Sequence, residues 1–388
     1  MPTAYSQFNI MQKVRYKPTE YVDIQYGFHY SATSSYGRYD RHNRMRNGLP
    51  RYAEWDYGPQ KWMMNMLSIE YSKAKVAFDK VAFRFAHQLF EESRIDRSLN
   101  KDDRTTNAEK VNAYSVNLDL VKKIKEKNTL FYGVEYVYDK VKSTGEITDI
   151  STNETVEGPA RYPQSSWQSV GLYITDEYRV LPKLTLTAGL RYNHVIIDSK
   201  FDTSFYSFPF TEAKISKGAL SGSLGLAYKP MSDFVIHANF GTGFRAPNVD
   251  DIGKVFDSEP GAVTVPNPGL KPEYAYNVDL GLTKIFADRV KIDITGYYTR
   301  LKNAMVRRDF TLNGEDSIMY QGTLSQVQAI QNAAKAYVWG IQAGIEVKLP
   351  LNFYVSSDVN IQKGKEELDN GDLSPLHRMR AYGLVFRV

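Results

Sequence analysis

The chain is 388 residues long, carries a formal net charge of +5 from 49 basic and 44 acidic side chains, and contains no cysteine. A disulfide framework and thiolate metal sites are excluded, and a charge this balanced does not by itself announce nucleic acid. With 28 Tyr, 19 Phe and a mean hydropathy of −0.44, no stretch is long and apolar enough for a transmembrane helix.

The opening "MPTAYSQFNIMQKVRYK" lacks the charged and then apolar run of a signal peptide and enters directly into strand-like alternation. Either the mature chain starts here or it is a fragment. Alternation then recurs from end to end. In "YSVNLDL", Tyr114, Val116, Leu118 and Leu120 share one face while Ser115, Asn117 and Asp119 share the other. In "LTLTAGLRYN", Leu184, Leu186, Ala188, Leu190 and Tyr192 stand against Thr185, Thr187, Arg191 and Asn193. In "FYVSSDVNIQ", Phe353, Val355, Val359 and Ile361 oppose Tyr354, Ser356, Asp358, Asn360 and Gln362. About fifteen such segments are predicted, most near the roughly ten residues a tilted strand needs to cross a bilayer. Helical periodicity is not convincing anywhere.

The connections carry as much information as the strands. Tight links, "KPTE", "KAKVAFD", "KIKEKN", "LPK", "KPMSD", "FADR" and "LPLN", alternate with long polar segments at 33–60, 95–108, 143–164, 199–214, 245–272, 308–330 and 363–376. Short turns at one end and long loops at the other predict an antiparallel transmembrane β-barrel, all-β, rather than a soluble sandwich or propeller. Propeller blades repeat at about 40–45 residues with internal signatures, and sandwiches show turn signals every 8–12 residues or so. Tyr16, Tyr71, Tyr178 and Tyr228 beside short turns, and Trp62, Trp167 and Trp339 where strands meet long loops, suit girdles at the two interfaces.

Phe244-Arg245-Ala246-Pro247-Asn248, followed by Asn267-Pro268-Gly269-Leu270-Lys271-Pro272-Glu273, resembles the paired "FRAPN" and "NPNLKPE" segments of TonB-dependent outer-membrane receptors, in that family's order and spacing. "GLYITDEYRVLPKLTLTAGLRY" at 171–192 and "VKIDITGYYTRLKNAMV" at 290–306 resemble the same family's barrel strands, and the likeness covers nearly the whole chain. It implies an outer-membrane receptor of a Gram-negative bacterium, akin to Bacteroidetes receptors for siderophore or haem-like iron complexes. Its wall would touch outer-membrane lipid. Such receptors carry a plug domain inside about twenty-two strands and a segment that contacts the TonB complex. Residues 1–388 show neither, and about fifteen strands is an odd number for a single-chain barrel. The expectation is therefore a barrel portion without its plug, open at strands one and fifteen. In the rival reading "YGLVFRV", with Tyr382, Leu384, Phe386 and Val388 alternating, is a true terminal strand.

Ligand chemistry is expected first in the segment 33–60. There Arg38, Arg41, Arg44, Arg46 and Arg51 interleave with Tyr36, Tyr39, Tyr52, Trp55 and Tyr57, and His42 lies among them. Guanidinium groups bond carboxylates in pairs and aromatic rings stack on flat ligands, so an extracellular anionic iron complex would suit. The same composition can bind single-stranded nucleic acid or outer-leaflet phosphates, or simply keep a loop soluble; nucleic acid is not expected. Parity puts His29 and His377 on the lumen face near the outer rim and His194 on the lipid or girdle face. Haem receptors of the family typically hold a histidine between the two motifs; residues 248–266 contain none. Neither a resident metal nor a cofactor is implied. An enzyme is not expected: there is no G-x-S-x-G, H-E-x-x-H or Walker loop, and Asp250–Asp251 and Glu366–Glu367 read as solvated turns. Energised uptake of an iron complex or another large nutrient is the leading reading, against a passive porin or a surface adhesin or outer-membrane enzyme.

Overall fold

The structure, a computed structural model, describes residues 3–46, 48–206, 208–253, 256–259, 261–320, 322–332, 335–350, 353–367, 372–375 and 383–387. Fifteen strands among these build one wall. They are β1 (Gln7–Thr19), β2 (Val22–Thr33), β3 (Lys61–Tyr71), β4 (Lys80–Ser98), β5 (Asp103–Ile124), β6 (Asn128–Asp149), β7 (Gln164–Leu181) and β8 (Leu184–Lys200). The rest are β9 (Glu212–Met231), β10 (Phe234–Arg245), β11 (Glu273–Phe286), β12 (Val290–Lys302), β13 (Ala336–Lys348), β14 (Tyr354–Glu367) and β15 (Gly383–Arg387). Each pairs antiparallel with the next in chain order. Among the described residues β1 pairs only with β2, β15 only with β14, and every residue of β1 is exposed, so the ladder has two free edges. No helix among the described residues is long and apolar enough to cross a membrane.

Because side chains alternate along a strand, one register line fixes both faces. Leu67, Phe85, Val116, Tyr136 and Val170 lie directly opposite one another across β3 to β7 and form an apolar outer line. One residue along, Ser68, Arg84, Asn117, Glu135, Gly171 and Asn193 form a polar inner line. The outer face stays open to its surroundings, with Leu172 54 %, Leu190 58 % and Leu220 62 % exposed. Apolar side chains presented this way have no packing partner in water and match lipid tails instead.

The aromatic placement needs correcting in part. Trp339 stands on the outer face opposite Tyr298, as expected of a girdle residue. Trp62 and Trp167 face inward: Trp62 pairs with Ser31 and Phe90, and Trp167 lies opposite the fully buried Ile197. Trp167 packs against the core cluster formed with the loops, whereas Trp62 stays 37 % exposed and donates to Gln88 Oε1 at 3.1 Å on the inner face.

The expected long segment at 95–108 is not a loop. β4 and β5 continue through it and meet across Leu99–Asp102, with Arg94 opposite Asn107 and Arg97 opposite Arg104. Both faces of these upper segments look into water, so the ladder continues although the apolar alternation has ended. β6 likewise runs to Asp149, where Thr155–Gly158 folds back on it.

The loops hold the protein's apolar core. Residues 245–272 contain the one-turn helix α1 (Val249–Gly253) and the strand Ala262–Val265. This strand lies parallel to Thr323–Asn332, which also pairs with Met305–Asp309 and Ser317–Tyr320. One cluster unites Val195, Ile197 and Ile215 of the inner wall with Val249, Ile252 and Leu270. A second gathers Val263, Val265, Leu312, Val327 and Ala329.

Candidate functional site

The basic aromatic segment 33–60 is built as a sheet extension rather than free coil. Tyr52–Tyr57 pairs with the upper end of β4, Tyr57 opposite Arg94, and Tyr36–Gly37 pairs back on Asp56–Tyr57. Tyr39–His42 forms a second one-turn helix, and Met45–Arg46 pairs with Leu49–Pro50 across a turn where Gly48 takes φ 78°. Only glycine adopts that backbone without strain. Tyr52 and Trp55 are buried and form the floor on which the arginines lie.

The arginines divide by what they touch. The Arg38 guanidinium lies 5.2 Å from the Trp55 ring and 5.6 Å from Tyr57, donates to Tyr57 Oη at 2.9 Å, and bonds Asp40 through two nitrogens at 2.7 and 2.9 Å. Arg41 stacks 5.4 Å over Trp55 and Arg51 5.0 Å over Tyr52. Arg44 receives the Arg51 N–H on its backbone carbonyl at 2.8 Å. Arg46 is exposed and donates to Thr323 Oγ1 at 3.2 Å, linking this segment to the loop after β12. His42 Nε2 lies 3.7 Å from Asp56 Oδ1. Stacking fixes where these guanidiniums lie, and Arg38 already directs Nε, Nη1 and Nη2 to Asp40 and Tyr57, so the cluster is a cationic aromatic surface.

The histidines are spread. His29 lies on the inner face opposite Met64, its ring 4.6 Å from Trp62. His194 stands on the outer face between Tyr192 Oη at 3.3 Å and Ser216 Oγ at 3.0 Å. His377, and with it Tyr382 and Val388 of the proposed terminal strand, lies outside the described residues. Among the described residues no group of three or more His, Asp or Glu could hold a metal ion.

The motif residues form a clasp. Pro247 is fully buried, and Asn248 caps α1 reciprocally: its Oδ1 accepts the Asp251 N–H at 2.9 Å while its own N–H donates to Asp251 Oδ2 at 3.0 Å. Arg245 Nη2 donates to both Asp251 oxygens at 2.7 and 2.8 Å and its Nη1 lies 3.6 Å from Glu273. Asn267 receives the Gly269 N–H at 3.0 Å, so Pro268-Gly269 turns the chain, and donates to the Ile330 carbonyl at 2.7 Å. Phe244, Ala246 and Leu270 pack in the first core cluster, Lys271 N–H donates to Asn332 at 2.7 Å, and Glu273 receives the Met305 N–H at 2.8 Å. Pro272 precedes β11 and lacks an N–H to leave unpaired there.

Tyr162 ties the loop after β6 to this clasp, donating to Asp250 Oδ1 at 2.8 Å; burial, above all, pushes its phenol up to about 12. The folded pKa lies above the ordinary tyrosine value of about 10, so its contribution is complete below that pH and disappears as pH rises toward 12. Proteolytic cutting within 150–163 should therefore increase across that window, and Tyr162→Phe should abolish this pH dependence.

Alternation alone did not reveal two inner-face charge networks. Mid-wall, Arg191 donates to Glu135 at 2.7 Å, Glu135 accepts from Asn117 at 3.0 Å, and Asp119 is bonded by Arg84 and Tyr173. Arg191 reaches Glu135 by lying across Gly171, where a Cβ would come within 2.4 Å of its guanidinium. These groups line a polar recess of about 410 Å³. Higher up, Arg94 sits between Glu92 and Glu109, which lie directly opposite each other. For the mid-wall network the usable signal was Gly171, set on the inner parity opposite Glu135 and Asn193.

An antiparallel ladder with a lipid-compatible outer face, a polar inner face and folded loops at one end is the wall of an outer-membrane-type β-barrel. The chain belongs to the TonB-dependent receptor family: the family model described as TonB dependent receptor-like, beta-barrel, matches residues 3–383. No curated protein matches it by sequence. Among solved structures it is similar to the copper transporter OprC, at 14 % identity and TM-score 0.73, covering 96 % of this chain and 54 % of that one. It is also similar to the Serratia marcescens hemophore receptor HasR in complex with its hemophore HasA and heme, at 14 % identity and TM-score 0.70, covering 100 % and 60 %. A third is the ferric yersiniabactin uptake receptor FyuA from Yersinia pestis, at 13 % identity and TM-score 0.65, covering 94 % and 52 %. The chain thus spans 52–60 % of the length of these three. The family and these neighbours are receptors or transporters rather than enzymes.

Proposed function

We propose that residues 1–388 form the barrel portion of an outer-membrane importer of a Gram-negative bacterium, and that its extracellular face captures an anionic iron complex of siderophore or haem type. A plug domain outside residues 1–388 would fill the lumen, contact the TonB complex and release the captured ligand inward. The observation that carries the ligand class is the basic segment 33–60, where Arg38, Arg41 and Arg51 lie stacked on rings of their own loop and Arg46 reaches across to Thr323. The similarity to a hemophore receptor bound to heme and to a ferric yersiniabactin uptake receptor supports the reading. His29 stands on the inner face below, next in line for a ligand passing inward.

The test changes Arg38, Arg41, Arg44, Arg46 and Arg51 together to Gln and measures whole-cell binding of ferric siderophores and haem at two salt concentrations, normalised to surface-folded barrel. Two or three lost charge-assisted bonds, at about tenfold each, predict roughly 100- to 1,000-fold weaker binding. The salt dependence should flatten, because exposed ionic contacts are screened within about 8 Å at physiological salt. Arg245→Gln serves as the contrast: its guanidinium is engaged by Asp251 and Glu273, so it should lower barrel yield and leave affinity per folded receptor intact. Full binding by the five-fold variant would remove the loop from the ligand site and shift attention to His29.

A further inference from the structure

The outer face of β3 to β6 changes character abruptly toward the loop end. Asn65, His87, Tyr114 and Tyr138 form one register line, with the His87 and Tyr114 rings stacked at 4.6 Å and 12°. An aromatic line at the end of an apolar band marks the interface with lipid headgroups. Two residues further up, Met63, Leu89, Asn112 and Lys140 follow, and two beyond that, Lys61, Glu91, Lys110 and Lys142. Next come the small residues Ser93, Ala108 and Thr144, directly opposite one another. The result is a recess of about 380 Å³ with Ser93 and Ala108 in its lining and Lys61, Glu91, Lys110 and Lys142 around it on the outer face, while Glu92 and Glu109, which also line it, are held by Arg94 on the inner face.

On the outer-face register lines four lysines, Lys61, Lys110, Lys140 and Lys142, stand beside the single carboxylate Glu91. Glu91 bonds Lys110 at 2.6 Å and lies 3.7 Å from Lys61, while Lys140 and Lys142 are exposed and have no carboxylate partner among the described residues. Lys110 and Lys142 are directly opposite. Like charges so placed destabilise a strand pair unless an anion lies between them. We propose that this recess binds the phosphate of an outer-leaflet lipid headgroup, with Lys110 and Lys142 as the principal donors and Lys61 and Lys140 flanking. Depth selects a lipid over a free anion: the lysines stand about 7–13 Å along the strands above the aromatic line, where headgroup phosphates lie, and the apolar outer line through Phe85 and Phe83 continues below it for acyl chains. The inference rests on placement in the outer membrane and not on the identity of the imported ligand.

The experiment uses the protein expressed from its own gene and purified from outer membranes, equilibrated in neutral detergent with phosphatidic acid, with diacylglycerol of the same chains, or with inorganic phosphate. Lipid retained per folded protein is counted by native mass spectrometry. Wild type should retain phosphatidic acid at least about tenfold over diacylglycerol, the worth of one charge-assisted bond, and excess inorganic phosphate should not displace it. Lys110→Gln with Lys142→Gln should lose that preference, and Lys110→Arg with Lys142→Arg should keep it. Equal retention by wild type and the Gln variant overturns the proposal, as does displacement by inorganic phosphate, which would make the site one for free anions. Should the double variant fold poorly, Lys142→Gln alone decides. Relief of the Lys110–Lys142 repulsion should raise its unfolding temperature above wild type in neutral detergent, and loss of the lipid should drop it below wild type with phosphatidic acid. The same ranking in both media refutes the site. Loss of ferric ligand uptake with lipid retention intact would count against the proposed function alone.

Discussion

Arg94→Leu should destabilise the folded wall by about 3–5 kcal/mol, more than any other single charge removal expected here. Glu92 and Glu109 lie directly opposite on the inner face of β4 and β5, with side chains only 15 % and 6 % exposed, and Arg94 bonds both, Glu109 at 3.1 Å. Burial works against the Arg94 charge, but Glu109 and Glu92 outweigh it and raise its pKa above the ordinary arginine value. Gln60 supplies a further bond to Glu92 at 3.1 Å, and the Tyr57 ring lies 5.5 Å from the guanidinium, so the segment 33–60 is seated on the same group. Without Arg94 two carboxylates remain buried face to face, an arrangement relieved by taking up a proton. The loss should accordingly shrink as pH is lowered toward the carboxylate range, and replacing Glu92 and Glu109 by Gln in the same chain should restore most of the stability. Denaturant titration of the heat-modifiable barrel band measures both. A neutral-pH loss below about 1 kcal/mol would mean that the cluster is solvated and that the basic loop is seated by its rings alone.

Ile252→Ala is the second large effect, and it should be local. Ile252 is fully buried in the cluster that joins α1 to Val195, Ile197 and Ile215 of the wall, and truncating such a side chain costs about 2–5 kcal/mol. The fourteen wall pairings do not pass through it. The energy should be lost from loop attachment rather than from the ladder. Protease cutting within 246–272 should rise at least about thirtyfold while the barrel's own unfolding midpoint stays put. Asp251→Ala, which removes one side of the cap and the Arg245 bond, should fall between, at about 1–2 kcal/mol. If the midpoint of the whole wall fell with Ile252→Ala, loops and ladder would be one cooperative unit.

The wall was legible because its rule is local. A period of two, set by backbone geometry, puts Leu67 outside and Ser68 inside whatever the rest of the chain does, and the alternation of short and long connections gives the polarity. The length of the upper strands was not legible. Once both faces of residues 95–108 see water, the apolar code stops while the hydrogen-bond ladder continues. Trp167 misled for a related reason, since beyond the bilayer it packs against a loop cluster that no local pattern announces, and Trp62 misled because its inner-face partner Gln88 lies on the next strand. The clasp was legible as a motif but not as a shape: Asn248 as a helix cap needs Asp251 three residues on, and Asn332, its far post, lies 61 residues from Lys271. The Glu92–Arg94–Glu109 cluster depends on a register between two strands, which composition does not encode.

The wall strands differ in length around the ladder: β5 and β6 each run 22 residues, whereas β1 and β12 run 13. At about 3.3 Å per residue and a tilt near 40°, that difference is roughly 20–25 Å of extra height on one flank, since the short turns start all strands near one level. The rim is therefore a slope. Among the described wall strands, anything approaching from the loop side reaches the ends of the β4–β6 palisade before the ends of β1 and β12.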